Sequence, residues 1–158
     1  MDEYRPTVLI VDDEELVTIT LRNLFLLRTD YSVIVHTSAS AALADAGSRA
    51  IDLVITDYLM PEMDGISFLS RFKEIQPQTV RVLLTGYADK ANAIRAINTV
   101  GLYQYIEKPW DNDDLLLTIR NGLERQHLMK RLNEKIEQIN RAYGELQGLQ
   151  KAIVKTFI

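Results

Sequence analysis

The sequence predicts an α/β fold, in which five parallel strands form one doubly wound sheet of order 2-1-3-4-5 with helices on both faces. Five short apolar runs alternate with segments of helical periodicity along the chain. The runs are rich in β-branched residues and almost continuously apolar, as in strands that are buried on both faces. Connections between parallel strands are right-handed crossovers, so the carboxyl ends of all five strands meet at one edge of the sheet.

The elements follow in a regular order. The predicted strands are residues 7–11, 32–35, 53–56, 80–84 and 102–106. The predicted helices cover residues 14–27, 38–46, 65–75 and 89–98, and a last helix begins near residue 113 and has no obvious end. Helical spacing predicts that three helices bury Leu16, Ile19, Leu24 and Leu27; Ile66, Leu69, Phe72 and Ile75; and Ala93, Ile94 and Ile97. This is the flavodoxin-like arrangement, in which ligands bind at the switch point between the first and third strands.

The composition is that of an ordinary globular chain, and it excludes several classes of protein. Of 158 residues, 47% are hydrophobic and 25% are charged. A net charge of -4 argues against nucleic-acid binding by this segment, which would require a basic face. The absence of cysteine excludes disulfides and thiolate metal sites. No apolar run approaches the roughly 20 residues that span a bilayer, and the acidic N-terminus does not resemble a secretory signal. We therefore expect a cytoplasmic protein.

Polar side chains stand at the carboxyl ends of several predicted strands. Asp12 and Asp13 follow the first strand, Asp57 follows the third, Thr85 follows the fourth, and Lys108 lies beyond the fifth. The predicted strand order places the three carboxylates in one crevice. Carboxylates this close repel one another unless a cation neutralises them, and Mg²⁺ prefers oxygen ligands. With no cysteine and only two histidines, a zinc site is not expected.

This set of groups suits phosphoryl transfer. That reaction depends mostly on positioning and charge stabilisation, for which a metal, a lysine and a hydroxyl are appropriate. A carboxylate can itself be the nucleophile and form an aspartyl phosphate. Asp57 fits this role because it lies between the acidic pair and the side of Thr85 and Lys108. Without these partners, it would be interpreted as an ordinary turn aspartate.

As a set, these residues closely resemble the receiver domain of two-component response regulators. The motifs that carry the resemblance are Asp12-Asp13, Asp57, Met60-Pro61, Met63-Asp64-Gly65, Thr85-Gly86, Tyr103, Tyr105 and Lys108-Pro109. The resemblance covers residues 5–125. It implies a phosphorylation-dependent signalling switch, in which Asp57 accepts a phosphoryl group from a sensor histidine kinase. It also implies that the domain is not an enzyme, apart from assisting its own phosphorylation and dephosphorylation.

The resemblance implies a role for each motif residue. Asp12, Asp13, Asp57 and the backbone carbonyl of Leu59 would bind Mg²⁺. Lys108 would pair with the phosphoryl oxygens, and its bond to Pro109 would be cis. Thr85 would bond to the phosphoryl group in the active state, and Tyr105 would turn inward behind it.

Two bulky side chains stand near the expected phosphorylation site. Leu59 and Tyr87 lie two positions after Asp57 and Thr85, respectively. We expect them to shield the acyl phosphate from water and to slow its hydrolysis.

Residues 126–158 are predicted to form a helical linker after the receiver. One set of positions alternates in steps of three and four and is apolar except for Gln150, and we call this set the seam: Met129, Leu132, Ile136, Ile139, Tyr143, Leu146, Gln150 and Ile153. The spacing predicts a coiled coil and a homodimer through the C-terminal helix. The alternative is a single amphipathic helix folded back on the receiver. The apolar end at residues 152–158 predicts a chain cut before an output domain.

The type of output is left open by the sequence. The sequence from Tyr103 to Asp111 resembles that of receivers joined to cyclic-dinucleotide phosphodiesterases of the HD type. A diguanylate cyclase or an ATPase transcriptional activator could follow instead.

Two other functions fit part of the pattern. A magnesium-dependent phosphohydrolase of the haloacid dehalogenase type would form the same aspartyl phosphate. That class needs Asp-x-Asp after the first strand and a cap for its substrate, whereas this chain has Asp12-Asp13-Glu14 and no segment free to be a cap. An inert receiver-like coiled-coil adaptor is the third interpretation, and the intact acidic set with Thr85 and Lys108 argues against it.

Overall fold

The computed structural model describes residues 4–157, with the backbone alone for 156 and 157. Its core is a five-stranded parallel sheet in the order β2-β1-β3-β4-β5, which confirms the predicted fold class and strand order. The strands are β1 (Thr7–Val11), β2 (Ser32–His36), β3 (Leu53–Asp57), β4 (Val80–Thr85) and β5 (Gln104–Glu107). The helices are α1 (Glu15–Arg28), α2 (Ala39–Ala46), α3 (Gly65–Ile75), α4 (Lys90–Thr99) and α5 (Asn112–Phe157). A 3-10 turn, Tyr87–Asp89, precedes α4.

Alternation along the strands divides the core between the two faces of the sheet. One cluster joins Leu9, Val11, Val54 and Leu83 to Phe68, Leu69 and Phe72 of α3. The other joins Val8, Ile10, Ile55 and Leu84 to Leu21 and Phe25 of α1 and to Leu115 and Ile119 of α5. Both faces of the central strands are therefore buried, as their continuous apolar sequences predict.

The predicted buried face of α1 is wrong in part, although Leu24 is partly buried and packs against the core as predicted. The helix buries Thr18, Leu21 and Phe25, whereas Leu16 and Leu27 are 75% and 84% exposed. Apolar residues occur all around this helix, so periodicity alone did not identify the inner face. Thr18 tolerates burial because its hydroxyl donates to the carbonyl of Glu15 at 2.7 Å.

The predicted faces of α3 and α4 are wrong in part. In α3, Leu69 and Phe72 are buried as predicted, but Phe68 is buried and Ile75 is exposed. In α4, Ala93 is buried as predicted, and the second buried residue is Ala96. The buried side chains of α4 are small, which allows the helix to approach the sheet closely. The larger side chains of Ile94 and Ile97 are exposed.

The fifth strand begins at Gln104 rather than at the predicted Leu102, because the N–H of Leu102 bonds to the end of α4. Gly101 adopts φ 63°, the left-handed conformation that commonly terminates helices. The N–H of Leu102 then donates to the carbonyl of Ala96 at 3.4 Å. The N–H of Tyr103 is the first in this segment to bond to β4, at 2.8 Å from the carbonyl of Arg81.

Arg81 is a buried cation on β4 that joins two loops. Its Nε donates to the carbonyl of Val100 at 2.9 Å, and its Nη2 donates to the carbonyl of Gly101 at 3.2 Å. Its Nη1 donates to the carbonyls of Pro77 and Thr79 at 3.1 and 2.9 Å. Burial lowers the pKa of Arg81 below its usual range. The side chain thus fastens the α3–β4 and α4–β5 connections at the edge of the sheet opposite the carboxyl ends.

Backbone contacts divide the chain into a unit that ends at Glu124 and a unit that begins at Arg125. The second unit is the remainder of α5, and the predicted long C-terminal helix is confirmed. Its apolar seam residues are all exposed, from 46% for Ile136 to 66% for Ile139. Within the described part of the chain, no helix combines the length and apolarity needed to cross a membrane.

Candidate functional site

The ends of β1 and β3 bring three carboxylates together. The strands are neighbours with Val11 opposite Thr56, so Asp12 lies beside Asp57, the last residue of β3. One oxygen from each of Asp12, Asp13 and Asp57 can be chosen so that all three lie within 4.8 Å of one another. Asp12 is fully buried, Asp57 is 8% exposed, and Asp13 is exposed. The predicted acidic crevice is therefore present.

Lys108 adds a cation to this crevice. Its Nζ donates to Oδ1 of Asp57 at 2.9 Å and lies 3.5 Å from Oδ2 of Asp12. The backbone N–H of Lys108 donates to the carbonyl of Thr85 at 2.8 Å, which holds the β5–α5 loop against the end of β4. The bond between Lys108 and Pro109 is cis, as predicted.

Burial and neighbouring charges determine the protonation of Asp12 and Lys108. Burial raises the pKa of Asp12 to about 6, and the charge of Asp57 acts in the same direction. The N–H of Glu14, which donates to Oδ1 of Asp12 at 2.9 Å, opposes this increase. Burial lowers the pKa of Lys108, but its hydrogen bond to Asp57 and the negative charges around it outweigh burial and raise that pKa overall. Asp12 and Lys108 are consequently both charged at pH 7.

The acidic crevice fits a magnesium ion. Oδ2 of Asp12 is buried and accepts no hydrogen bond, because the Lys108 ammonium 3.5 Å away donates to Asp57 instead. A single lysine does not balance the charges of Asp12, Asp13 and Asp57. Acidic ligands with oxygen donors only, one of them open to water at Asp13, match the preference of Mg²⁺.

Thr85 and Tyr105 lie on one face of the sheet. The register pairs Leu83 with Tyr105 and Thr85 with Glu107, so Thr85 and Tyr105 are diagonal neighbours on adjacent strands. Thr85 is fully buried, and its Oγ1 has no hydrogen-bond partner. Tyr105 is partly buried and packs against the cluster that contains Leu83. The structure thus brings the two predicted switch residues together, while their roles stay predictions.

Leu59 and Tyr87 belong to the two loops that follow Asp57 and Thr85. Leu59 is 62% exposed and Tyr87 is 83% exposed. Both side chains are therefore largely in water, and the shielding of the acyl phosphate stays a prediction.

Gly65 is a site residue that the sequence analysis named in the Met63-Asp64-Gly65 motif and at the start of a helix, without giving it a role of its own. Its N–H donates to the carbonyl of Tyr58 at 2.7 Å, which closes the loop after Asp57. A Cβ at this position would overlap the carbonyl oxygen of Asp57 and lie 2.9 Å from Cδ1 of Leu83. Asp64 caps the same helix by accepting from the N–H of Ser67 at 2.7 Å. The Asp-Gly pair was the signal that could have identified this close approach.

Two further contacts were missed because no local pattern announces them. Nδ2 of Asn92 on α4 donates to the hydroxyl of Tyr58, the residue after Asp57, at 3.0 Å. Glu62, in the same loop as Leu59, accepts hydrogen bonds from the hydroxyls of Ser38 and Ser40. The loop after Asp57 is therefore tied to both α4 and α2.

Comparisons with known proteins agree on the family. A model of the response regulator receiver domain matches residues 8–120. The chain is 36% identical over 128 residues to the hydrogenase transcriptional regulatory protein HoxA of Cupriavidus necator, covering 81% of this chain and 26% of that protein. It is 28% identical to the response regulator protein TmoT of Ectopseudomonas mendocina, covering 98% of this chain and 70% of that protein. The chain therefore spans about a quarter of the length of HoxA.

A solved structure gives the same result. The signal receiver domain of an HD domain-containing protein from Pseudomonas fluorescens Pf-5 superposes with a TM-score of 0.76 at 38% identity, covering 83% of this chain and 96% of that one. Receiver domains are signalling modules rather than enzymes, and they partner with histidine kinases. Since the family model spans most of the chain and its acidic residues meet at one sheet edge, this chain belongs to the response regulator receiver family.

Proposed function

We propose that this protein is a phosphorylation switch in which Asp57 accepts a phosphoryl group from a sensor histidine kinase. The observation that carries the proposal is the position of Asp57, at the end of β3 beside Asp12 and Asp13 and 2.9 Å from Nζ of Lys108. A carboxylate oxygen of Asp57 attacks phosphorus, the bond to the histidine nitrogen of the kinase breaks, and an acyl phosphate forms. Hydrolysis later restores the carboxylate.

The residues around Asp57 offset the charge of the incoming group. Asp12, Asp13, Asp57 and the backbone carbonyl of Leu59 would hold Mg²⁺, which supplies positive charge to the phosphoryl oxygens when bound. Lys108 already donates to Asp57, so its ammonium is in place for the same oxygens. The low exposure of Asp57 strengthens these interactions because little water screens them.

Thr85 and Tyr105 carry the change of state. A phosphoryl group adds about -1.5 to -2 of charge and three acceptor oxygens. The hydroxyl of Thr85, which is buried without a partner, is available to donate to one of them. Movement of Thr85 leaves space on its side of the sheet, and Tyr105 turns into this space from the neighbouring strand.

Leu59 and Tyr87 control how long the phosphoryl group persists. Their exposed side chains stand in the two loops beside the crevice, where they exclude the water that would attack in line. Leu59→Asn together with Tyr87→Ala is expected to shorten the lifetime of the phosphorylated protein. A lifetime equal to that of the parent, measured by intact mass, would contradict this role.

The C-terminal helix relays the state of the receiver. We assign residues 5–125 to the receiver and 126–158 to a coiled-coil linker that forms a homodimer through the seam. Support comes from seam side chains that are at least 46% exposed along α5, an area that association would remove from water. For the output, the HD type is favoured because the receiver from Pseudomonas fluorescens belongs to an HD domain-containing protein. Hydrolysis of a cyclic dinucleotide by the full-length protein, with and without acetyl phosphate, tests this assignment.

Intact-mass measurement after incubation with acetyl phosphate and Mg²⁺ tests the central proposal. We expect one labile phosphoryl group on the parent and none on an Asp57→Asn variant. Continuous release of phosphate from several substrates would favour a phosphohydrolase instead. A parent that never gains the mass of a phosphoryl group would be an inert adaptor.

A further inference from the structure

The seam of the C-terminal helix contains one amide among apolar residues. Counting Met129 as heptad position a, the a positions are Met129, Ile136, Tyr143 and Gln150, and the d positions are Leu132, Ile139, Leu146 and Ile153. Every d position is therefore Leu or Ile. The amide of Gln150 has to find a hydrogen-bond partner once the seam is covered, because a buried amide without one costs about 1–3 kcal/mol.

We propose that two copies of this helix associate in parallel and in register, with Gln150 facing the partner's Gln150. The inference rests on the proposed homodimer and goes beyond it by fixing the orientation. In a parallel dimer, a positions face a positions, so the two amides donate and accept between themselves. In an antiparallel dimer, a positions face d positions, so Gln150 meets Leu or Ile in every register. Polar residues at a are known to specify register in this way.

The positions that flank the seam support the same orientation. Leu149 occupies position g and Val154 occupies position e of the next heptad, and they are 59% and 55% exposed. In a parallel dimer, a g residue meets the e residue five positions later in the partner, so Leu149 and the partner's Val154 cover each other. In an antiparallel dimer, a g residue meets a g residue of the partner instead. In the antiparallel register that sets Leu132 opposite Gln150, the apolar side chain of Leu149 would lie opposite the charged side chain of Lys135.

Cysteine cross-linking tests the orientation directly, since the natural chain has no cysteine. A disulfide requires Cα atoms about 4.4–6.8 Å apart. Met129→Cys at an a position and Ile153→Cys at a d position are single substitutions, separated by about 36 Å along a helix. We expect each variant to form a homodisulfide in a glutathione buffer, both with and without acetyl phosphate and Mg²⁺. A matched control, Arg141→Cys at outward position f, is expected to stay uncross-linked.

Contrary results of this experiment distinguish a wrong orientation of the two helices from the absence of a dimer. Mixed disulfides between the Met129→Cys and Ile153→Cys chains, without homodisulfides, would refute the parallel orientation but keep the dimer. A monomer in sedimentation, with no cross-link in either phosphorylation state, would refute both. Neither result touches the phosphorylation of Asp57, which intact mass measures separately.

The role of Gln150 has its own readout. Gln150→Leu removes the amide and leaves an apolar seam, so the chains are expected to remain associated but to lose their preference for one orientation. Mixed 129–153 disulfides should then appear beside the homodisulfides. If the variant stays wholly parallel, Gln150 does not set the orientation.

Discussion

At the scale of single residues, Asp12 is held in an unfavourable state in the metal-free protein. Its side chain is fully buried, Oδ2 accepts no hydrogen bond, and its pKa is raised to about 6. Nζ of Lys108 lies 3.5 Å away but donates its hydrogen bond to Asp57, so the ionised carboxylate still reduces the stability of the fold, and a divalent cation would offset this cost. Metal affinity and fold stability are therefore opposed at this position.

Asp12→Asn should make the metal-free protein more stable. The change removes the buried charge and keeps its size, and we expect a gain of up to about 3 kcal/mol in the free energy of unfolding at pH 7.5, measured with urea. The parent should be stabilised by added Mg²⁺, and the variant much less. Asp13→Asn is the control, because Asp13 is exposed and should give little gain without metal. Equal gains for the two variants would contradict the assignment to burial.

The same comparison has a predicted pH dependence. The pKa of Asp12 in the folded state, about 6, lies above the usual value of 3.8, so the folded protein binds more protons between these values. Stability from this group is therefore lost as pH rises from about 4 to about 6. The advantage of Asp12→Asn should be absent below pH 4 and complete above pH 6. Urea unfolding of both proteins from pH 4 to 8 without metal measures this difference, and a constant difference would disprove it.

At the scale of elements, the loop after β3 depends on the lack of a side chain at Gly65. Its neighbours are the carbonyl of Asp57 and the side chain of Leu83, neither of which can move without disturbing the strand ends.

Gly65→Ala should destabilise the protein by about 1–3 kcal/mol, since the added methyl group overlaps backbone. This is opposite to the usual effect of alanine within a helix. Gly47→Ala is the matched control at the C-cap of α2, because Gly47 has φ -73° and only ordinary van der Waals contacts. Urea unfolding should show a loss for the first variant and no loss for the second. Equal effects would mean that the close approach at Gly65 is unimportant.

The elements were largely predictable from the sequence, whereas their contacts were not. Strand order followed from continuous apolar runs, and the crevice followed from strand order. The inner face of α1 was not predictable because Leu16, Leu21 and Leu27 are equally apolar, and tertiary contacts decide between them. The contact of Asn92 with Tyr58 joins residues 34 positions apart, and no local pattern encodes it.

At the scale of the whole molecule, the described chain combines a site made by one sheet edge with a helix of 46 residues that begins soon after Lys108. The site is complete within the residues matched by the family model. Phosphorylation and association should therefore be separable.

Removal of residues 126–158 should abolish association and leave phosphorylation intact. The seam lies wholly in the removed segment, whereas Asp12, Asp57 and Lys108 remain. Sedimentation velocity is expected to show a monomer for the shortened chain, and intact mass should still show one phosphoryl group. As a milder control, Ile139→Asp in the full chain should weaken association in the same way. A shortened chain that still dimerises would place the interface on the receiver.

The fastening of α4 by Arg81 has a mechanical consequence. The four carbonyls that Arg81 binds include those of Val100 and Gly101, directly after α4, so this end of the helix is anchored to β4. The other end follows a 3-10 turn beside Thr85 and has no side-chain cap. We expect α4 to behave as a lever with its pivot at the guanidinium group. A small displacement at Thr85 would then move the N-terminal end of α4, which Asn92 links to Tyr58, while the C-terminal end stays in place.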